Sequence, residues 1–181
     1  MSGKVESLVN DWFKKHYPDL WYSWIDPNFN DCEELPVELA MVPAFRFLEH
    51  NLINGGWPQF LWNGFGNWRY LLKVTQAGSR IVGAAPFVFH AMSGLYTLCY
   101  ENEAECERDL SNEDSRFGLF IEKMNLKYDS EQTNWEMVLY SGTKSYWKRL
   151  TWLDKNEEFI QTLLETSAPP MKQRSVFKDV T

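Results

Sequence analysis

Apolar residues recur at helical spacing along most of this chain. Val5, Leu8, Val9, Trp12, Phe13 and His16 fall at i, i+3, i+4 and i+7. That spacing predicts an amphipathic helix, capped by Ser2 and stopped by Pro18, whose ring opposes a continuing turn. The next stretch, 21–30, is aromatic and turn-rich, with Asp26-Pro27-Asn28 as its turn signal. Pro36, behind Glu33 and Glu34, reads as a helix start, with acids at the positive end of the helix dipole. Pro43 is expected to break or restart that helix. Ala44, Phe45, Leu48 and Leu52 then form one apolar face, and Asn54-Gly55-Gly56 is expected to end it.

A short helix is expected around Pro58 to Asn63. Trp68, Leu71, Leu72, Thr75 and Val82 mark another, capped by Asn67 and stopped by Gly83. Pro86 opens the next, with Phe89, Met92, Leu95, Tyr96 and Cys99 on its stripe. Ser111 with Asp114, and Asp154 with Glu157, resemble capping pairs ahead of further apolar runs. The fold class this predicts is all-α, a multi-helix globular bundle. Residues 135–152 are the ambiguous stretch, rich in Trp, Tyr and Val around Gly142. Two helices suit the surroundings, and a small β-hairpin is the alternative. One helical domain is expected over residues 1–166, followed by a mobile tail from 167 to 181 that has Pro169-Pro170 and no periodicity.

Composition narrows the partners. The chain has 181 residues, 44% of them hydrophobic and 16% aromatic, nine being Trp. That is enough for one well-filled core. Lys and Arg total 18 against 25 Asp and Glu, a net charge of −7. The balance disfavours nucleic acid and anionic membranes as direct partners, since phosphate binding needs basic clusters. No acid occurs between Leu61 and Tyr100, as expected of a central pair of buried helices. The acids gather in two blocks. One holds Asp26, Asp31, Glu33, Glu34 and Glu38. The other holds Glu101, Glu103, Glu105, Glu107, Asp109, Glu113 and Asp114. The bland reading of both blocks is a solvated surface. No apolar run is long enough to span a membrane, and the N-terminus does not read as a signal peptide. With three cysteines, Cys32, Cys99 and Cys106, the expectation is a reducing cytoplasm and free thiols.

Little in the sequence points to chemistry. His16, His50 and His90 show no metal-ligand spacing, and each reads as structural or solvated. Ser93 lacks a nucleophile elbow, and Cys99 lies on an apolar stripe. Gly64-Phe65-Gly66 is not a dinucleotide fingerprint, and the acidic blocks lack the residue order of a calcium loop. No catalytic residue, metal or cofactor is expected.

One string is distinctive, running from Asn54 to Gly64 as N-G-G-W-P-Q-F-L-W-N-G. Its physical reading is a helix–turn–helix corner. Gly55 and Gly56 turn the chain, Trp57 and Phe60 pack the corner, and the Gln59 and Asn63 amides on the second helix are expected to bond the free backbone groups of neighbouring ends. The string resembles the N-G-G-[FW]-x-Q-[FY]-x-x-N-x-x-G corner of a bacterial DNA-mimic protein family. The likeness runs from about Pro43 to about Cys99. Where that family has Gly-Ala before its second long helix, this chain has Gly78-Ser79 or Gly83-Ala84. The resemblance implies an all-helical fold without known catalysis, and binding to a DNA-binding regulator in place of DNA. The motif itself reads as fold-maintaining.

The leading expectation is thus a non-catalytic acidic module, monomer or homodimer, that binds a basic protein. The acids assigned to that surface are Glu101, Glu103, Glu105, Glu107, Asp109, Glu113, Asp114, Asp31, Glu33 and Glu34. An immunity protein that plugs a basic toxin is the alternative, and the Trp count suits it. An enzyme is the third reading, which would need convergent polar groups in a pocket.

Overall fold

The helical spacing is realised as helix in the computed structural model, which describes residues 3–22, 29, 32–64, 66–84, 97, 99–110 and 145–167. Among these residues there are seven helices and no strand: α1 (Lys4–His16), α2 (Pro18–Tyr22), α3 (Val37–Asn63), α4 (Trp68–Ile81), α5 (Glu103–Leu110), α6 (Ser145–Lys155) and α7 (Glu157–Thr166). The fold is all-α. The part of the ambiguous stretch that is described, from 145 onward, is helix and not hairpin. Gly142, the pair Ser111 and Asp114, the Pro86 helix and the tail from 168 lie outside the described residues.

α3 is the centre. Leu39, Ala40, Met41, Val42, Ala44, Phe45, Phe47, Leu48 and Leu52 are all buried, so apolar side chains leave it in every direction. A helix apolar all round belongs in a core. That explains why Pro43 does not break it, contrary to expectation. An interior proline costs about 3 kcal/mol, and close packing on every side exceeds that. α4 is amphipathic by contrast. Trp68, Leu71, Leu72, Thr75 and Gly78 face inward, while Arg69, Lys73 and Arg80 are exposed. Its inner face lies on α3, the most extensive helix pairing among the described residues. Gly78 makes that approach close. A Cβ there would lie 2.8 Å from Met41 Cβ and from Phe45 Cε2.

α3 does not run straight. Helical backbone continues through Asn54, Gly55 and Gly56 to Asn63, so these residues do not terminate it. Yet Asn63 Nδ2 donates to Asn51 Oδ1 at 2.6 Å, and the Phe47 and Phe60 rings are 5.9 Å apart. At a rise of 1.5 Å per residue, twelve residues of straight helix span about 18 Å, more than two short amides can bridge. The chain therefore doubles back between Asn51 and Gln59, where the sequence places its corner. It does so without left-handed glycines at 55 and 56. Positive φ is found instead at Gly3, Gly66 and Gly83. Gly66 turns α3 into α4, and Gly83, with φ of 63°, follows the end of α4 as expected.

α1 packs against α2, α3, α6 and α7. Its buried stripe is Val5, Val9 and Phe13. Leu8 is exposed and Trp12 half-buried, and both line the open groove beside α7. There Lys4 Nζ donates to Glu157 Oε1 at 2.8 Å, and Trp12 Nε1 donates to the Leu164 carbonyl at 3.0 Å. The two contacts advance together along both helices, so α1 and α7 run parallel. Two expected caps are corrected. Gly3, not Ser2, is the α1 cap, and Asn156, not Asp154, precedes α7. Neither makes a side-chain capping bond. No helix among the described residues is long and apolar enough to cross a membrane.

Candidate functional site

Three polar constellations stand out from the apolar frame. The first is at the corner. Asn51 is fully buried. Its Nδ2 donates to the Phe47 carbonyl at 2.8 Å. Its Oδ1 accepts from Asn63 at 2.6 Å and from Gln59 at 3.4 Å. Buried amides must be bonded, and here the amides of the second arm bond a side chain of the first. Sequence reading assigned Gln59 and Asn63 to backbone groups and overlooked Asn51. Asn54 is exposed and donates to the His50 carbonyl at 2.7 Å. Phe60 is buried as expected. Of Gly55, Gly56 and Trp57 only the helical backbone is described.

The second constellation is acidic and lies on α4. Glu103 and Glu107 sit one turn apart on α5, as neighbours on one helix face should. Both carboxylates accept from Arg69 Nη2, that of Glu107 at 2.7 Å. The Arg69 guanidinium also lies 4.7 Å from the centre of the Trp68 ring. On the next residue of α4, the Tyr70 hydroxyl donates to the Cys32 carbonyl at 2.9 Å. Burial first, then Cys32 and Glu33, raise the Tyr70 pKa above its ordinary value. Glu33 is thus near α4 on the Tyr70 side. Segments some seventy residues apart in sequence, one carrying Glu33 and the other Glu103 and Glu107, thus both touch α4, at Tyr70 and at Arg69. Glu33, Glu34, Glu101, Glu103 and Glu107 are exposed, and Glu105 is half-buried near Arg108. Tyr100 is 60% exposed beside Glu101. The Asp109 side chain, Glu113, Asp114 and Asp31 lie outside the described residues.

The third constellation was not foreseen. Arg149 on α6 is 1% exposed. Its Nη1 donates to Glu49 Oε1 at 2.5 Å and its Nη2 to Glu49 Oε2 at 3.2 Å. Its Nε and Nη2 donate to Glu6 Oε1 at 3.0 and 2.8 Å. The Phe45 and Tyr146 rings lie 5.3 Å from the guanidinium. A signal was present. Arg149 is four residues before the buried Leu153, and Glu49 four after the buried Phe45, so both charges sit on apolar stripes.

The histidines are scattered. His16 lies 5.0 Å from the Trp12 ring, and burial, then Lys15, lowers its pKa. Burial, then Arg46, lowers that of His50. His90 and Ser93 lie outside the described residues. Cys99 is a buried thiol outside any disulfide. Among the described residues no group of three His, Cys, Asp or Glu is placed to hold a metal. A shallow groove between α1 and α7 is lined by Leu8, Trp12 and Leu164, with Asp11, Lys15 and Glu165 at its edges. No family model, curated protein or solved structure matches the chain.

Proposed function

We propose that this chain is a non-catalytic acidic protein-binding module, which occupies the basic face of a DNA-binding regulator as a DNA mimic does. The observation that carries the reading is that two acid-bearing segments touch α4, the Cys32–Glu33 segment at Tyr70 and the Glu103–Glu107 pair at Arg69. The exposed carboxylates of these segments, Glu33, Glu34, Glu101, Glu103 and Glu107, outnumber the exposed cations of α4, Arg69, Lys73 and Arg80, and leave a negative surplus. Such a field speeds encounter with a basic partner and selects against acidic ones. The corner string supports the same reading by its likeness to the DNA-mimic family. The setting that suits it is a reducing cytoplasm, with three cysteines outside any disulfide.

A toxin-neutralising immunity protein is the second reading. The exposed Tyr100 ring next to Glu101 favours it, since aromatic anchors dominate tight interfaces. Capture of the partner from the native host, identified by mass spectrometry, distinguishes a DNA-binding regulator from a nuclease toxin.

The acidic surface is tested by charge reversal. Changing Glu33, Glu34 and Glu101 to Lys is expected to leave the melting temperature nearly unchanged. The same variant should weaken binding of the captured partner at least tenfold at low salt and flatten its salt dependence. Unchanged affinity at both low and high salt removes these acids from the functional account. Reversing Glu103 and Glu107 as well should add a small loss of stability through Arg69, because each exposed pair contributes about 0.2–1 kcal/mol.

A further inference from the structure

The cluster that joins α1, α3 and α6 is one charge short of balance. Glu6 comes from α1, Glu49 from α3, and Arg149 from α6. The Arg149, Glu49 and Glu6 side chains are 2%, 11% and 14% exposed. The other titratable side chain described at the cluster is Tyr146, whose ring lies 5.3 Å from the guanidinium. Fully ionised, two carboxylates share one cation, leaving a net negative charge removed from water. Burying unbalanced charge is costly, and a carboxylate in that position relieves the cost by taking up a proton. The geometry gives one guanidinium to both acids. Arg149 Nη2 is 2.8 Å from Glu6 Oε1 and 3.2 Å from Glu49 Oε2, so the two N–H groups of one nitrogen hold both carboxylates side by side.

We propose that the Glu6–Arg149–Glu49 cluster takes up one proton on mild acidification, and that this uptake fastens α1 and α6 to α3. Glu49 is the site of protonation, because it is the more deeply buried carboxylate. Burial is the largest influence on it and pushes its pKa up from the ordinary 4.5. Arg149 opposes that rise, and Glu6 adds to it. The direction of linkage follows. A carboxyl whose pKa is higher in the folded than in the unfolded chain stabilises the fold most below the unfolded value. That contribution is lost as pH rises through the folded value. The cluster therefore holds the three helices most firmly in mild acid and loosens them toward alkaline pH. The device is independent of the acidic surface on α4.

The test uses the full chain labelled with 13C at glutamate carboxyls and titrated by NMR from pH 3 to pH 9. One carboxyl is expected to titrate above 4.5 and to vanish in Glu49→Gln. Glu6→Gln neutralises the cluster without touching Glu49, so it should lower that midpoint and flatten the fall of melting temperature as pH rises above 4.5. The fall lost in Glu6→Gln is expected to be roughly 2–4 °C. Because Glu6→Gln alters the less buried acid, it serves even where Glu49→Gln does not fold. Absence of any raised glutamate, or a raised one unmoved by Glu6→Gln, overturns the proposal. Failure here leaves the partner-binding reading intact, since none of these residues belongs to that surface.

Discussion

At the scale of single residues, the fold is decided where spacing alone cannot see. Gly78 illustrates this. In sequence it is one small residue among Ala77, Gly78 and Ser79, and nothing in the apolar period distinguishes it. In the structure it is the point where α4 comes nearest to α3, with no room for a side chain beside Met41 and Phe45. Gly78→Val should therefore destabilise by about 1–3 kcal/mol, as overpacking does in tight cores. A thermal melt matching the parent would show that the helices give way freely. Gly83 makes a useful contrast. A Cβ there meets nothing, yet its φ of 63° strains any other residue. Arg149 and Glu49 teach the complementary lesson. A single charge on an apolar stripe is a legible anomaly. Its partner, a hundred residues away, is not.

At the scale of elements, the helices themselves were legible because 3.6-residue periodicity is a local property. The stripe of α4, its start at Asn67 and the stop at Gly83 are found where the sequence puts them. The errors were at boundaries. Pro43 and the two glycines at 55 and 56 are strong local breakers; Pro43 lies where α3 is buried all round, and helical backbone passes through it and through the glycines alike. The corner was recognised for a reason that holds, since amides after it bond back to the helix before it. The acceptor was missed because a buried Asn looks like any surface Asn in sequence. The corner predicts a coupling. Asn51→Ala strands the Asn63 amide and should cost about 1–3 kcal/mol. Asn63→Ala alone should cost less, and the double variant should lose clearly less than the sum. Strict additivity in chemical denaturation would mean that the 2.6 Å contact does not form in solution.

At the scale of the whole molecule, sequence reading gave the fold class, while long-range placement had to come from the structure. The placement of acid-bearing segments against α4 depends on contacts such as Arg69 to Glu107 and Tyr70 to Cys32, each 38 residues apart, for which no local pattern exists. The cysteines are a case where composition sufficed. Cys32, Cys99 and Cys106 are all fully buried thiols outside any disulfide. The hydrogen bond from Cys99 to Cys106, followed by burial, raises the Cys99 pKa and keeps its thiol protonated. A neutral, enclosed thiol is a poor nucleophile. The native protein should thus be inert to a thiol reagent, and guanidinium chloride should expose three reactive groups. Rapid labelling of the native state would place a thiol outside the core, and fewer than three after denaturation would reveal a disulfide.

The partners of α1 bear on how the chain is made. Glu6 is 143 residues from Arg149, Trp12 is 152 from Leu164, and Lys4 is 153 from Glu157. Closing loops of that length precedes any reward from the contacts, which slows folding. On a translating ribosome α1 leaves the exit tunnel long before α6 and α7 exist. At 5–20 residues per second, the interval is on the order of ten seconds. Throughout it, Val5, Val9 and Phe13 have only part of their eventual surroundings. The nascent chain thus carries an apolar helix only partly covered, by α2 and α3, for most of its synthesis.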